Sequence, residues 1–518
     1  MSFSKVHSAQ ATPLGTSLIA VETDISRGLH AFSIVGLPTK SVEEAQDRIA
    51  AAVKNTGFAS PKQKNQKVVI SLAPASLKKE GTSFDLAIAL GYLTAVDAIS
   101  FKKENALFAG ELSLDGSLKS VRGILPIAHR AAREGFEEIF VPRANAKEAA
   151  LVRDIHVYGA DSLLEVIEHI NTKKDAEYNP PRSIAVEPPT EIPRTEPSQG
   201  VDLSDIKGQE LGKRVLEIAA AGGHNIALHG PPGAGKTLLA KALISLIPPL
   251  SEEEVFETTS LHSVSGTLPS ETLITAPPFR APHHSSSPAA VIGGGSSPRP
   301  GEITLAHNGV LFLDEFPEFD RRIIEALREP LEERAVVVSR SQGVVRFPAD
   351  FILAVAFNPC PCGNFGSEKA SCSCTAHDIH RYQKKLSGPI VDRIDLWCTV
   401  DAVPHARLAD RSSGEHSSAV RKRVSTARKI QKDRFAEIPD MRVNNDMNAR
   451  ILERKAGLTE RAEKVLLVSA EKLNLSARTY HRSIKIARTI ADLEREERIE
   501  ERHILESLQY RPSEAVPV

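Results

Sequence analysis

The sequence predicts a multidomain α/β protein, and three observations carry that prediction. A GxxxxGK[ST] pattern at 230–237 lies between a short apolar run and a helix-like run, the strand–loop–helix context in which that pattern cradles phosphate. From about residue 205, apolar strand-length runs alternate with helical stretches, as in a parallel sheet covered on both faces. Asn171 to Gly200 contains six prolines and few large apolar residues, a composition that reads as an extended linker. The 518 residues suit about two to four domains. The expected organisation is a domain at 1–170, a linker at 171–200, an α/β core at 201–404 and a helical domain at 405–518.

Composition narrows the class. Apolar residues make up 41% and charged residues 25%, as in ordinary globular proteins. No apolar run approaches the ~20 residues that span a bilayer, and the stretch from Met1 to Gln10 has no apolar signal-peptide core. The expectation is a cytoplasmic protein with no membrane partner. The net charge of −1 hides an asymmetry: residues 201–404 carry 18 basic and 24 acidic side chains, and 405–518 carry 24 and 18.

The first domain mixes the two periodicities, hence α+β. Val68–Leu72 is a β-branched strand, and Asp85–Val96 is long and apolar enough for a buried helix. Leu107–Leu114 followed by Gly116 predicts strand and turn. Ile124–Glu134 predicts a helix, and Glu138–Val141 a strand after the Gly135 break.

In the core, Gly208–Ala221 predicts a helix, Asn225–His229 a buried strand, and Thr237–Ile247 a helix ended by Pro248 and Pro249. Between them lie Gly230, Pro231, Pro232, Gly233, Ala234, Gly235, Lys236 and Thr237. The glycines let backbone N–H groups turn toward the phosphates of ATP, Lys236 reaches the outer phosphates, and Thr237 is a Mg²⁺ ligand. Val310–Leu313 is a second buried strand and ends in Asp314 and Glu315. Its C-terminal end points these acids at the ligand crevice. Asp314 organises Mg²⁺ there, and Glu315 serves as general base for water. Asn358 ends a third buried strand, Phe351–Phe357, where its amide can orient that water. Arg393, in a stretch running Ser387 to Leu396, is a candidate to neutralise γ-phosphate charge from a neighbouring subunit.

Three further features are candidates for a track or a second metal. The long insert Pro248 to His307 carries His283 and His284, which either reach a polymer or pack locally. Ala335–Arg346 reads as a hairpin around Gly343, with Arg340 near its tip. Arg340 is either a phosphate contact or a solvated side chain. Cys360, Cys362, Cys372 and Cys374 form CxC–x9–CxC within 360–374. Four thiolates can close a structural Zn²⁺ site, although the usual knuckle is CxxC; reduced, loop-packed thiols are the alternative. Cys398 reads as a small buried hydrophobe.

The last domain is helical from about Asn444, with periodic stretches at Glu460–Leu473 and Ser476–Glu494. Arg478 opens the second. The basic run containing Arg421, Lys422, Arg423, Arg428, Lys429, Lys432 and Arg434 is either a DNA-phosphate surface or a solvated helix face.

The order of phosphate loop, acidic strand, Asn strand, Asp-Arg motif and helical lid resembles an AAA+ ATPase. Gly301 to Glu315 resembles the magnesium-chelatase-like clade, and Ala281–His284, Ile292–Gly295, Asn358–Gly363 and Ser476–Tyr480 resemble its YifB/ComM family, over roughly residues 5–511. The resemblance implies an AAA+ P-loop NTPase core with a C-terminal helical lid, Asn358 as sensor 1, Arg393 as arginine finger and Arg478 as sensor 2. It places the hairpin bearing Arg340 where related helicases grip nucleic acid. The first domain resembles the Lon-peptidase fold (ribosomal S5 domain 2-like). Glu80–Ser83 falls at that family's nucleophile loop, but the register from Gly110–Gly116 puts Leu125 where its catalytic Lys stands. Lys119 and Arg122 are out of register, and a serine without a base is a weak nucleophile, so Ser83 is expected to be structural.

The resemblance thus implies a homohexameric ATPase motor that binds single-stranded or branched DNA, a helicase promoting branch migration in recombination and natural transformation. The alternative is a metal-chelatase-type motor that inserts Mg²⁺ with partner subunits; no DxSxS motif supports that. A peptidase is opposed by Leu125, and a non-enzymatic assembly factor by the intact phosphate loop.

Overall fold

The structure, a computed structural model, describes residues 2–13, 15–29, 31–63, 65–101, 105–173, 183–193, 200–268, 273–294, 299–340, 343–366, 371–386, 388–404, 414–439 and 441–512. Backbone contacts divide it into two compact units, Met1–Pro193 with Glu252–Ile274, and Arg194–Ser251 with Thr275–Val518.

The first unit contains β1 (Ser2–Thr12), β2 (Gly15–Arg27), β3 (Ala31–Val35), β4 (Gln66–Ala73), β5 (Ala106–Phe108), β6 (Glu111–Leu112), β7 (Leu118–Lys119), β8 (Glu138–Pro142) and β9 (His156–Ala160). Seven of these form one mixed sheet in the order β3-β4-β2-β1-β5-β8-β9, and β6 and β7 form a small hairpin. The helix Asp85–Ala95 is buried at nearly every position, as its unbroken apolar sequence requires. It crosses the sheet closely enough that a Cβ on Gly91 would stand 2.9 Å from Thr23 Oγ1. The antiparallel pair β1–β2 escapes a hydropathy reading because Ser4, Ser8, Gln10 and Thr23 are buried on it. Ser4 Oγ donates to Gly91 O at 2.7 Å and Gln10 Nε2 to Lys78 O at 3.0 Å, which satisfies two of the four, while the Ser8 and Thr23 hydroxyls are buried without a hydrogen-bond partner among the described residues.

Two expectations about connections change here. The segment 183–190 is not an unpacked linker. Ile184 is buried, Val186 bridges Tyr158, and Glu187 N donates to Val157 O at 2.8 Å, so alternating apolar residues between the proline pairs add to the β9 edge. Residues 174–182 and 194–199 lie outside the described ones. The insert 248–307 is not one element either: Glu252–Ile274 belongs to the first unit. Its helix Glu252–Ser265 packs Phe256 edge-on against His129, and Ser263 Oγ accepts from Gly123 N at 2.9 Å.

The second unit contains β10 (Ile226–His229), β11 (Phe279–Arg280), β12 (Gly293–Gly294), β13 (Arg299–Pro300), β14 (Gly309–Leu313), β15 (Ala335–Arg340), β16 (Gly343–Pro348), β17 (Phe351–Phe357) and β18 (Leu396–Thr399). Its main sheet runs β11-β14-β17-β10-β18 and every pairing is parallel. Every residue of β10, β14 and β17 is buried, as unbroken apolar strands covered on both faces must be. One face is covered by helices Glu210–Gly222, Lys236–Leu246, Ser417–Arg434 and Ala477–Leu493, which share a core with it. The hairpin β15–β16 covers the other face through Val336, Val338, Val345 and Phe347. Helices Ala449–Lys455, Glu460–Lys472 and Glu501–Gln509 build a further core with Ala477–Leu493. Among the described residues, no helix is long and apolar enough to cross a membrane.

Candidate active site

Parallel pairing brings the C-terminal ends of β10, β11, β14 and β17 to one edge of the sheet, where open α/β sheets hold ligands. The residue after β10 is Gly230, and a Cβ there would stand 2.0 Å from Val400 O, so only glycine lets the loop leave between β10 and β18. Gly233 and Gly235 take φ of 74° and 94° and face open space. The loop from Gly233 to Thr237, with Leu238 and Lys241, lines a pocket of about 330 Å³.

Lys236 is buried. Its amine donates to Gly230 O at 2.7 Å, Pro231 O at 2.8 Å and Asn358 Oδ1 at 3.0 Å. Burial lowers its pKa, and the charge of Asp314 opposes that. The predicted lysine and the predicted strand-end amide are therefore in direct contact. Thr237 Oγ1 donates to Asp314 Oδ2 at 2.7 Å, and Asp314 Oδ1 accepts from Glu315 N at 2.9 Å. This hydroxyl–carboxylate pair, beside backbone N–H groups at a helix start, suits a hard cation bound next to phosphate oxygens.

Glu315 has φ of 52°, the left-handed region that a non-glycine residue occupies at a cost, often at functional sites. Its carboxylate meets His284 Nδ1 at 3.0 Å. His284 follows β11, the strand beside β14, which explains the meeting. The His284 ring lies 4.1 Å from that of His283, whose Nδ1 is 2.7 Å from Ser285 Oγ. His284 thus sits on the predicted general base, with His283 beside it. Sequence reading missed this pairing because β11 is only two residues long.

Arg393 and Arg478 are brought together on Glu332. Arg393 Nη2 pairs with Glu332 Oε1, and Arg478 Nη2 donates to the same oxygen at 3.0 Å. Burial lowers the Arg393 pKa against the pull of Glu332, and Arg393 Nε is buried without a hydrogen-bond partner. Among the described residues, no hydrogen bond or ion pair joins either arginine to the phosphate loop. Nothing in the sequence marked Glu332 among its acidic neighbours.

The other candidates divide. Arg340 ends the backbone of β15, and its side chain lies outside the described residues. Most of the basic run on helix Ser417–Arg434 is committed internally. Arg421 Nη1 donates to Ser245 O, Arg423 pairs with Glu217 and Glu415, Arg428 Nε donates to Ala220 O, and Arg434 pairs with Asp492. Lys422, Lys429 and Lys432 are exposed. Of the seven cations in the run, four are thus held by neighbouring groups, and the three exposed lysines remain for either a DNA-phosphate surface or a solvated face. In the first unit, Ser83 is buried, its hydroxyl donates to Ala9 O at 3.1 Å, and Leu125 is buried apolar core, an arrangement with no base on the serine.

The four cysteines are free thiols whose sulfurs lie within 4.8 Å of one another. Cys360 and Cys362 are 3.4 Å apart, Cys362 and Cys372 3.6 Å, and Cys360 and Cys372 3.8 Å. Backbone amides of Asn364 and Ser373 draw the Cys362 pKa down to about 5, while burial and the neighbouring sulfurs push Cys374 up to about 12.

Comparison with known proteins agrees with this architecture. Sequence models of the magnesium chelatase ChlI subunit match residues 202–408 and 21–145, and that of its C-terminal region matches 414–511. The chain is 40% identical to the competence protein ComM of Haemophilus influenzae over 99% of this chain and 98% of the relative. It is 39% identical to the protein YifB of Salmonella typhimurium over 99% and 97%. A stretch of 155 residues, 28% of this chain and 27% of the relative, is 30% identical to Lon protease 2 of Bacillus subtilis. The chain belongs to the YifB/ComM family of magnesium-chelatase-like AAA+ ATPases, with the ATPase motor and the Lon-like region that this membership carries.

Proposed function

We propose that this protein is an ATP-hydrolysing ring motor acting on single-stranded or branched DNA, a helicase that promotes branch migration in recombination such as natural transformation. The observation that carries the ATPase side is the joined constellation of Lys236 on Asn358 and Thr237 on Asp314, at one sheet edge beside an open loop. The DNA side is supported by near-full-length identity to a relative named as a competence protein.

In this reading Gly230 to Thr237 hold the phosphates of ATP, and Thr237 with Asp314 hold Mg²⁺, which supplies charge neutralisation at the phosphate oxygens. Lys236 exchanges its carbonyl partners for outer phosphate oxygens. Glu315 accepts the proton of the attacking water, which Asn358 orients. Arg393 acts from the neighbouring subunit of a homohexamer and Arg478 from the lid of the same chain, both released from Glu332. Arg340 and His283 are DNA contacts, whereas the pairing of His284 with Glu315 favours work at the ATP site. Cys360, Cys362, Cys372 and Cys374 hold a structural Zn²⁺, since four thiolates leave no open position for catalysis. Functionally the chain divides at 1–170, 171–200, 201–404 and 405–518.

The test is purified protein with a labelled four-way junction. ATP-dependent conversion to product duplexes, lost in Glu315→Gln, is expected. ATP hydrolysis with no remodelling of any forked or four-way DNA would move the assignment to a chelatase-type motor, the reading suggested by the name of the matching magnesium chelatase model.

A further inference from the structure

The cysteine cluster is built into the ATP site by the chain itself. Cys360 stands two residues after Asn358, and the helix Ala376–Gln383 begins two residues after Cys374, capped by Thr375 through the Asp378 amide. That helix returns Tyr382 to the same place. Its hydroxyl meets the Asn358 backbone amide, and burial together with nearby Glu318 and Cys360 raises its pKa. Between the cysteines, Gly363 lies against the phosphate loop. It has φ of 83°, and a Cβ there would stand 2.5 Å from Pro232 Cδ and Cγ and 3.8 Å from Asn358 Cγ. The loop that carries the sulfurs therefore touches Pro232 and Asn358, and Asn358 holds Lys236.

We propose that the four thiolates bind one Zn²⁺, and that holding Cys360 and Cys362 on this ion positions Asn358 and the phosphate loop, so that ATP turnover depends on a metal outside the reacting atoms. The proposal rests on the ATPase reading above. Sulfurs bound to one tetrahedral Zn²⁺ at about 2.3 Å stand about 3.8 Å apart. The separations among Cys360, Cys362 and Cys372, 3.4, 3.6 and 3.8 Å, fit that edge, whereas a disulfide needs about 2.05 Å. Backbone amides are already aimed at the sulfurs: Phe365 N donates to Cys360 Sγ at 3.3 Å, and Asn364 and Ser373 donate to Cys362. Such N–H groups supply the surrounding hydrogen bonds that orient metal-bound sulfurs. Cys360 is buried while Cys362, Cys372 and Cys374 are half-buried, which leaves the ion a way in. Soft thiolates in a closed tetrahedral set select Zn²⁺ over the hard Mg²⁺ of the nucleotide.

The ion would give the four sulfurs one common partner and so hold Gly363 more firmly against Pro232. A displacement of about 1 Å at Asn358 would cost on the order of 100-fold in turnover. The experiment uses the full chain and three readouts: metal content by mass spectrometry, binding of a fluorescent ADP analogue, and ATP turnover. The expected result is one Zn²⁺ per chain. Chelator treatment, or the double variant Cys372→Ser with Cys374→Ser, should remove it, weaken ADP-analogue binding and lower turnover by about 10- to 100-fold. Zn²⁺ but not additional Mg²⁺ should restore the chelated wild type. Gly363→Ala should keep its Zn²⁺ yet lose turnover. Chains without Zn²⁺, or zinc-free chains that bind the analogue and turn over ATP within about twofold of wild type, would overturn the proposal. A zinc-loaded wild type that hydrolyses no ATP would instead overturn the ATPase reading beneath it.

Discussion

Replacing Lys236 by Ala separates the chemical role of its amine from its structural one. Lys236 makes three hydrogen bonds, to Gly230 O, Pro231 O and Asn358 Oδ1. Each such bond contributes about 1 kcal/mol net, so the variant loses at most about 3 kcal/mol locally, and water from the adjoining pocket offsets part of that. The chemical loss is larger. Removing one preorganised donor from a developing anionic charge costs about 10²- to 10³-fold in turnover, roughly 3–4 kcal/mol. Lys236→Ala should therefore melt within several degrees of wild type and lose at least about 100-fold in phosphate release. Lys236→Arg should not rescue it, because a planar fork cannot sit on two adjacent carbonyls and an amide as a compact ammonium does. Phosphate release under saturating Mg·ATP, with a thermal melt of the same sample, reads both. Turnover in Lys236→Ala within about threefold of wild type would refute the assignment of Lys236 to the phosphates.

Three other predictions follow from separate parts of the structure. Glu315→Gln should retain ADP-analogue binding and abolish turnover; retained turnover would remove Glu315 as general base. Glu332→Gln withdraws the charge shared by Arg393 and Arg478, so turnover should change while the Thr237–Asp314 side still binds nucleotide; turnover and its dependence on protein concentration both identical to wild type would make the triad a surface feature. In the first unit, burial outweighs the Arg48 guanidinium and lifts Asp85 from its ordinary 3.8 to about 6. Between those values the folded unit holds a proton that the unfolded chain has released, so this group's contribution to stability falls as pH rises from about 4 to 6 and is level above, a loss on the order of 3 kcal/mol. Asp85→Asn should lack that part of the slope in denaturant melts across this range, and slopes equal to wild type would refute it.

Much of the motor was legible because its strands are fully buried and its loop pattern is strict. β10, β14 and β17 read as apolar runs, and Lys236, Thr237, Asp314 and Asn358 lie at their ends as that reading requires. What escaped was set by tertiary contact rather than by local pattern. β1 and β2 bury Ser and Thr hydroxyls that blur the alternation of a strand. β11 is too short to show that it delivers His284 to Glu315. Glu332 is one of three acids in the six-residue helix Arg328–Glu333, and only the fold singles it out. The basic run on Ser417–Arg434 stayed open between two readings because charge counts carry no information on which side chains turn inward against Glu217, Ser245 and Asp492. The cysteine spacing departs from the common knuckle, yet the four sulfurs lie together.

The most direct test of the central claim is steady-state ATP hydrolysis by the full chain, with and without four-way and forked DNA, at graded salt. A DNA motor predicts stimulation by branched DNA that steepens as salt falls, since phosphate contacts release counterions, and loss of all turnover in Glu315→Gln. Robust hydrolysis that is indifferent to every DNA at every salt concentration would contradict the account.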